Sequence, residues 1–92
     1  MPSAFEIVAE PARRALLDQL RAGPLPVGEL AGLTGLSQPN TSRHLRIMRD
    51  AGVVTSRSDG QRRLYELQVD GLAELAGWLT PFVLILQRSR PR

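Results

Sequence analysis

Residues 37–46 read Ser-Gln-Pro-Asn-Thr-Ser-Arg-His-Leu-Arg, and a single one of them, Leu45, is a large apolar residue. Hydroxyls, amides and guanidinium groups at this density are poor material for a core and good material for recognising a polar ligand. Arginine forks match guanine O6 and N7, asparagine and glutamine match adenine, and serine and threonine reach phosphate oxygens. On a helical wheel, Thr41, Leu45 and Met48 share one side, with His44 at its margin. The opposite side carries Pro39, Ser42, Arg43, Arg46 and Asp50, flanked by Gln38, Asn40 and Arg49. Such a helix fits the DNA major groove, its first turns nearest the base edges. An ordinary surface helix also has a polar face, so the sequence that follows must decide between the two.

That sequence is basic. From Arg43 to Arg63 there are six arginines (43, 46, 49, 57, 62 and 63) against two acids, Asp50 and Asp59. "GVVTSRSDGQRRLYEL" switches to short β-prone segments around Asp59-Gly60, a two-residue hairpin signal. With those two residues as the turn, Ser58 opposes Gln61, Arg57 opposes Arg62, Ser56 opposes Arg63 and Thr55 opposes Leu64. Like charges directly opposed weaken a ladder. Arg57 facing Arg62 is unhelpful to folding alone and makes sense beside a phosphate backbone. A polar helix followed by a basic hairpin points to nucleic acid.

The elements that must position these groups are mostly helical. Ala4 to Ala9 is a short helix with Phe5 and Val8 on one side, and Pro11 suits the first turn of the next. In "PARRALLDQLRAG", Ala12, Leu16, Leu17 and Leu20 follow the helical period, while Arg13, Arg14, Asp18 and Arg21 face outward. Leu25 to Leu33 gives a further helix with Val27, Leu30 and Ala31 inward, broken by Thr34-Gly35-Leu36. Ser37 is an N-cap for the polar helix, which runs to Ala51 and stops at Gly52. Two helices joined by a tight glycine-containing turn form a helix-turn-helix candidate. Val69 to about Gln87 is the last helix, which Pro81 should kink or divide, and residues 88–92 are expected to be a disordered tail.

Three segments together resemble the ArsR/SmtB family of bacterial winged helix-turn-helix transcriptional regulators. "EPARRALLDQL" is similar to its N-terminal signature, "ELAGLTGLSQPNTSRHLRIMRDAGVV" to its helix-turn-helix core, and "SDGQRRLYEL" to its wing. The match covers most of residues 4–86. It implies a mainly α fold of about five helices plus a two-stranded wing, dimerising through the first and last helices. On motif positions it places base and phosphate contacts at Ser37, Gln38, Asn40, Thr41, Ser42, Arg43, His44 and Arg46, with Arg57, Arg62 and Arg63 on the wing. Thr41 departs from the aliphatic residue usual at its position. Metal-sensing members carry cysteines before the recognition helix or Asp and His ligands on the last helix. "PVGELAGL" and "GLAELAGWL" hold no nitrogen or sulfur donor, so metal regulation is not carried over.

The last helix has more apolar surface than a 92-residue chain can cover from within. Leu72, Leu75, Trp78, Leu79, Phe82, Val83 and Leu86, with Phe5 and Val8 of the first helix, therefore make a two-fold interface with a second copy the simplest arrangement. The chain has no cysteine and one histidine, which leaves no metal cluster, cofactor set or catalytic constellation and argues against an enzyme. The run from Trp78 to Leu86 contains Thr80 and Pro81 and falls short of the roughly 20 residues a bilayer needs. No secretory pattern follows Met1, so the expected address is cytoplasmic. All 12 cations are arginine, against 9 acids, for a net charge of +3. Tyr65 is the one aromatic residue near the basic surface, which disfavours RNA. The reading is one domain over residues 1–87, a dimeric repressor on double-stranded DNA at an inverted repeat. An effector, small molecule or protein, is compatible with it, and no residue identifies one. The competing reading is a winged-helix module that binds protein and not DNA; the arginine wing together with Gln38, Asn40 and Arg43 discriminates the two.

Overall fold

The computed structural model describes residues 1–90. Its elements are α1 (Ala4–Ala9), α2 (Pro11–Leu20), β1 (Leu25–Pro26), α3 (Val27–Thr34), α4 (Gln38–Asp50), β2 (Val54–Asp59), β3 (Arg62–Leu67), a 3₁₀ turn (Val69–Leu72) and α5 (Ala73–Ser89). Ser3 opens α1 through a reciprocal capping box. Its Oγ accepts from the Glu6 amide and its own amide donates to Glu6 Oε1, each at 3.3 Å. The residues α1 buries are Ala4 and Ile7, with Phe5 and Val8 only half-buried.

Arg14 is exposed, as the periodicity predicts, and Arg13 is half-buried, but both side chains also reach back to α1. Arg13 Nε and Nη2 donate to the carbonyls of Ile7 and Glu6, both at 2.9 Å, and Arg14 Nη1 donates to Val8 O at 2.7 Å. These are the free carbonyls at the end of α1, which a six-residue helix cannot satisfy by itself. The two arginines therefore bolt α1 onto α2.

The expected two-stranded wing has a third strand. Leu25 pairs with Tyr65 and Pro26 with Leu64, giving an antiparallel sheet in the order β1-β3-β2. The helix expected from Leu25 begins instead at Val27, because a residue before proline is driven to extended backbone and Pro26 is extended too (φ −75°, ψ 158°). Proline is tolerated there because β1 is an edge strand.

The hairpin register also differs from expectation. Asp59 pairs with Arg62, Ser58 with Arg63, Arg57 with Leu64 and Ser56 with Tyr65. The two turn residues are thus Gly60 and Gln61. Both favoured hairpin turns need a positive φ at their first central position. Gly60 supplies it (φ +64°), whereas a turn centred on Asp59-Gly60 would demand it of an aspartate. Arg57 consequently faces Leu64, and no pair of like charges is opposed at that rung.

One core joins all layers. Ile7, Leu16, Leu20, Leu30, Leu45, Met48, Val53 and Val54 are almost wholly excluded from solvent, each contributing about 1.5–3 kcal/mol by burial. α5 lies outside it: none of its residues is buried. Leu72, just before it, packs partly against the core. Beyond it Trp78, Phe82 and Leu86 are 58%, 54% and 62% exposed. The radius of gyration is 14.9 Å, against about 12 Å for a compact chain of this length, because α5 projects as an arm. Pro81 does not divide that arm, which extends past Gln87 to Ser89 and into the stretch expected to be disordered. Pro91 and Arg92 lie outside the described residues. With the 3₁₀ turn, the segment Val69–Ser89 is 21 residues long and apolar enough to cross a membrane by length and composition, more than the run from Trp78 to Leu86 suggests. Leaving aside its first turn, the arm touches the body mainly through Phe5, whose ring meets Trp78 edge-on at 5.9 Å.

The root of the arm is fixed by backbone. Gly71 lies so close to Gly52, at the end of α4, that a Cβ on it would run into the Gly52 carbonyl and the Val53 Cα. The Gln68 amide donates to Val53 O at 2.8 Å in the same joint. Gly71→Ala should cost about 2–3 kcal/mol in urea denaturation, whereas Gly32→Ala on α3, where an added Cβ meets nothing, should gain roughly 0.5–1 kcal/mol.

Candidate nucleic-acid interface

α4 begins at Ser37, whose Oγ accepts from the Asn40 amide at 3.2 Å. Pro39 lies in the first turn, where its missing N–H leaves no gap. Its inward stripe is Thr41, His44, Leu45 and Met48, all buried. Ser37, Gln38, Asn40, Ser42, Arg43 and Arg46 are exposed together with the wing residues Arg57, Arg62 and Arg63.

Thr41 and His44 leave the set of candidate contact residues. Thr41 has no exposed surface, and its Oγ1 donates to Ser37 O at 2.8 Å, so its hydroxyl is spent inside the helix. His44 is 5% exposed, and its buried Nδ1 has no hydrogen-bond partner among the described residues. A wheel puts Thr41 on the buried side and His44 at the margin; the structure buries both.

The exposed arginines differ in how free they are. Arg62 Nη2 lies 3.3 Å from Asp59 Oδ2 across the turn. Arg63 Nη1 donates to Ser56 Oγ at 3.0 Å. Arg43 Nη2 donates to Asn40 Oδ1 at 3.1 Å. Arg49 lies at 4.0 Å from Asp50. Arg43, Arg46, Arg57 and Arg63 form no ion pair among the described residues. They are four guanidinium groups on α4 and the adjoining hairpin with charge uncompensated at short range, the arrangement that attracts phosphate. No group of three or more His, Cys, Asp or Glu suited to a metal occurs among the described residues.

Burial lowers the His44 pKa below its ordinary value of 6.5, and the cations Arg43 and Arg13 lower it further against an opposing effect of Glu10. The folded state thus favours the neutral ring and the unfolded chain binds the proton more readily. Stability from this source is complete above 6.5 and is lost as pH falls from there through the lowered folded value. Chemical denaturation at a series of pH values should show stability declining below pH 6.5, with a flatter profile in His44→Gln.

Residues 10–56 match the family described as bacterial regulatory protein, arsR family. The chain is similar to the HTH-type transcriptional regulator Rv2034 of Mycobacterium tuberculosis, with 43% identity over 78% of this chain and 67% of that protein. It is similar to the transcriptional repressor SdpR of Bacillus subtilis, with 31% identity over 90% of this chain and 92% of SdpR. Among solved structures it resembles the homodimeric winged helix-turn-helix DNA-binding domain of Mb0332 from Mycobacterium bovis. There the TM-score is 0.71 at 25% identity, covering 87% of this chain and 74% of that one. The exposed polar face of α4, the basic wing and these likenesses agree: the chain belongs to the arsR family of bacterial regulatory proteins and is a DNA-binding transcriptional regulator of winged helix-turn-helix fold.

Proposed function

We propose that two copies of the chain associate through α5 and α1 and bind an inverted-repeat operator, repressing transcription by occupying a promoter. The observation that carries this reading is the pairing of a free polar face on α4 with an uncovered apolar arm. The first presents Gln38, Asn40, Ser42, Arg43 and Arg46 to a groove; the second needs a partner of like character. Phe5, Val8, Leu75, Trp78, Leu79, Phe82, Val83 and Leu86 supply the interface, while Leu72 serves chiefly to seat the arm on the core. The homodimeric state of the Mb0332 domain and the repressor role in the name of SdpR support the same reading. It describes a cytoplasmic protein without catalytic activity. Four arginines held clear of any carboxylate distinguish it from a module that binds protein alone.

Sedimentation equilibrium should give a dimer, and Phe82→Glu should give a monomer with operator affinity reduced on the order of 100-fold through loss of bivalency. A chain that enters lipid vesicles without dimerising overturns the proposed role of α5. In titrations against an operator duplex, Arg43→Ala should cost about 1–3 kcal/mol and relax base preference. Arg57→Ala should weaken all sequences alike and reduce the salt slope by about 1. Arg62→Ala should have a smaller effect on that slope, since Asp59 already offsets its charge.

A further inference from the structure

We infer that the edge-on contact of Phe5 with Trp78 sets how far apart the two α4 helices stand, which makes Phe5 a positioning residue for the spacing of operator half-sites. The inference rests on the dimer proposed above and deepens it.

The arm is clamped to the body over a short stretch at one end. The Gln68 amide donates to Val53 O at 2.8 Å, Gly71 abuts Gly52, and Leu72 packs partly against the core. A rod held only there resists sliding but can swing about its root. A second contact farther out fixes its direction. Past the first turn of α5 that contact is Phe5, whose ring meets Trp78 at 5.9 Å with an interplanar angle of 77°. Trp78 rests in turn on Phe82 at 4.9 Å. Both phenylalanines and the one tryptophan of the chain thus meet at this place, although none of them belongs to the core cluster. Edge-to-face rings favour particular mutual orientations, which aliphatic contacts do not.

The body side of the contact is itself held firmly. Arg13 and Arg14 tie the last carbonyls of α1 to α2, and the Ser3–Glu6 capping box closes the other end of α1. Any contact that Phe5 and Val8 make with a second copy passes through the same short helix. Lever lengths then turn a ring contact into a spacing. Trp78 lies about 10 Å along the arm from Gly71, and the first residue of α4 about 20 Å from the end that meets Gly71, at about 1.5 Å per helical residue. A slip of about 1 Å at the rings therefore moves the reading end of each α4 by up to about 2 Å, and the two copies relative to one another by up to about 4 Å. One base pair advances the duplex by about 3.4 Å. Loss of the ring contact is thus equivalent to about one base pair of slack.

The test uses the full chain and an operator selected from a randomised duplex pool, rebuilt with its half-sites one base pair closer and one base pair farther apart. Titrations are run above the concentration at which the chain dimerises. The readout is the ratio of affinities across the three duplexes, because lost interface area weakens all of them alike. The wild type should disfavour either shift by roughly ten-fold or more, a part of the advantage of bivalent binding, and Phe5→Ala should flatten that preference to within about three-fold. Phe5→Tyr, which keeps a ring edge, should retain it. Leu86→Ala, toward the far end of the arm, should weaken binding to all three duplexes without flattening the ratio. Circular dichroism should report unchanged helix content in Phe5→Ala, since the residues α1 buries are Ala4 and Ile7. A preference kept in Phe5→Ala, lost equally in Leu86→Ala, or absent from a wild type that engages both half-sites overturns the inference and leaves the dimeric regulator standing. A wild type that binds a single half-site as tightly as two sinks the dimeric reading, and the inference with it.

Discussion

Four residues of α4, Thr41, His44, Leu45 and Met48, fasten that helix to the core, and the rest of the molecule's function depends on their sufficiency. Leu45 and Met48 are fully excluded from solvent and rest in one cluster with Ile7, Leu16 and Leu30. A helix anchored on one stripe has no further need of apolar residues elsewhere. Its opposite face can therefore be chosen for a ligand at little cost to folding, which is why a short chain can place amides and guanidinium groups along most of a helix.

A recognition helix also has to be aimed. In a two-fold dimer, two such helices must stand about 34–36 Å apart to meet successive turns of the major groove. In the dimer we propose, that spacing is set by whatever joins α5 to α4. Here the joint is backbone on backbone: Gly71 against the Gly52 carbonyl, with the Gln68 amide bonded to Val53 O. Side chains can change rotamer; two peptide units in contact without a Cβ between them have far less freedom. The root of the arm and the end of α4 are therefore coupled, and in the proposed dimer the separation of the two α4 helices would follow the geometry of the apolar interface.

Much of this was legible from residue order. The helix periods, the Ser37 cap and the division of α4 into an inward stripe and an outward polar face all follow from local patterning, which the buried core respects. What failed were features governed by partners distant in sequence or by a single dihedral. β1 exists because Leu25 and Pro26 find Tyr65 and Leu64, and a two-residue strand has no period to detect. The hairpin register departs from the Asp59-Gly60 pattern because the positive φ falls on Gly60 as the first turn residue, with Asp59 paired to Arg62. Ile7, and not the larger Phe5, is the large apolar residue that α1 buries. The contact between Arg43 and Asn40 fits an i, i+3 spacing in the sequence, but only the structure shows that Arg43 Nη2 donates to Asn40 Oδ1.

Arginine content alone misdirects any account of this surface. The same side chain closes the carbonyl end of α1 at Arg13 and Arg14, is offset by a carboxylate at Arg62, and stands without one at Arg43, Arg46, Arg57 and Arg63. A guanidinium bonded to a helix terminus adds its charge to the total but has fewer donors left for a ligand. The quantity relevant to phosphate and base edges is thus the number of donors still unspent after folding, and four arginines without an ion pair among the described residues lie on α4 and the hairpin that follows it. A net charge of +3 understates this local concentration, because acids such as Asp18, Glu29 and Glu74 lie on other elements and screening confines their effect to roughly 8–10 Å at moderate salt.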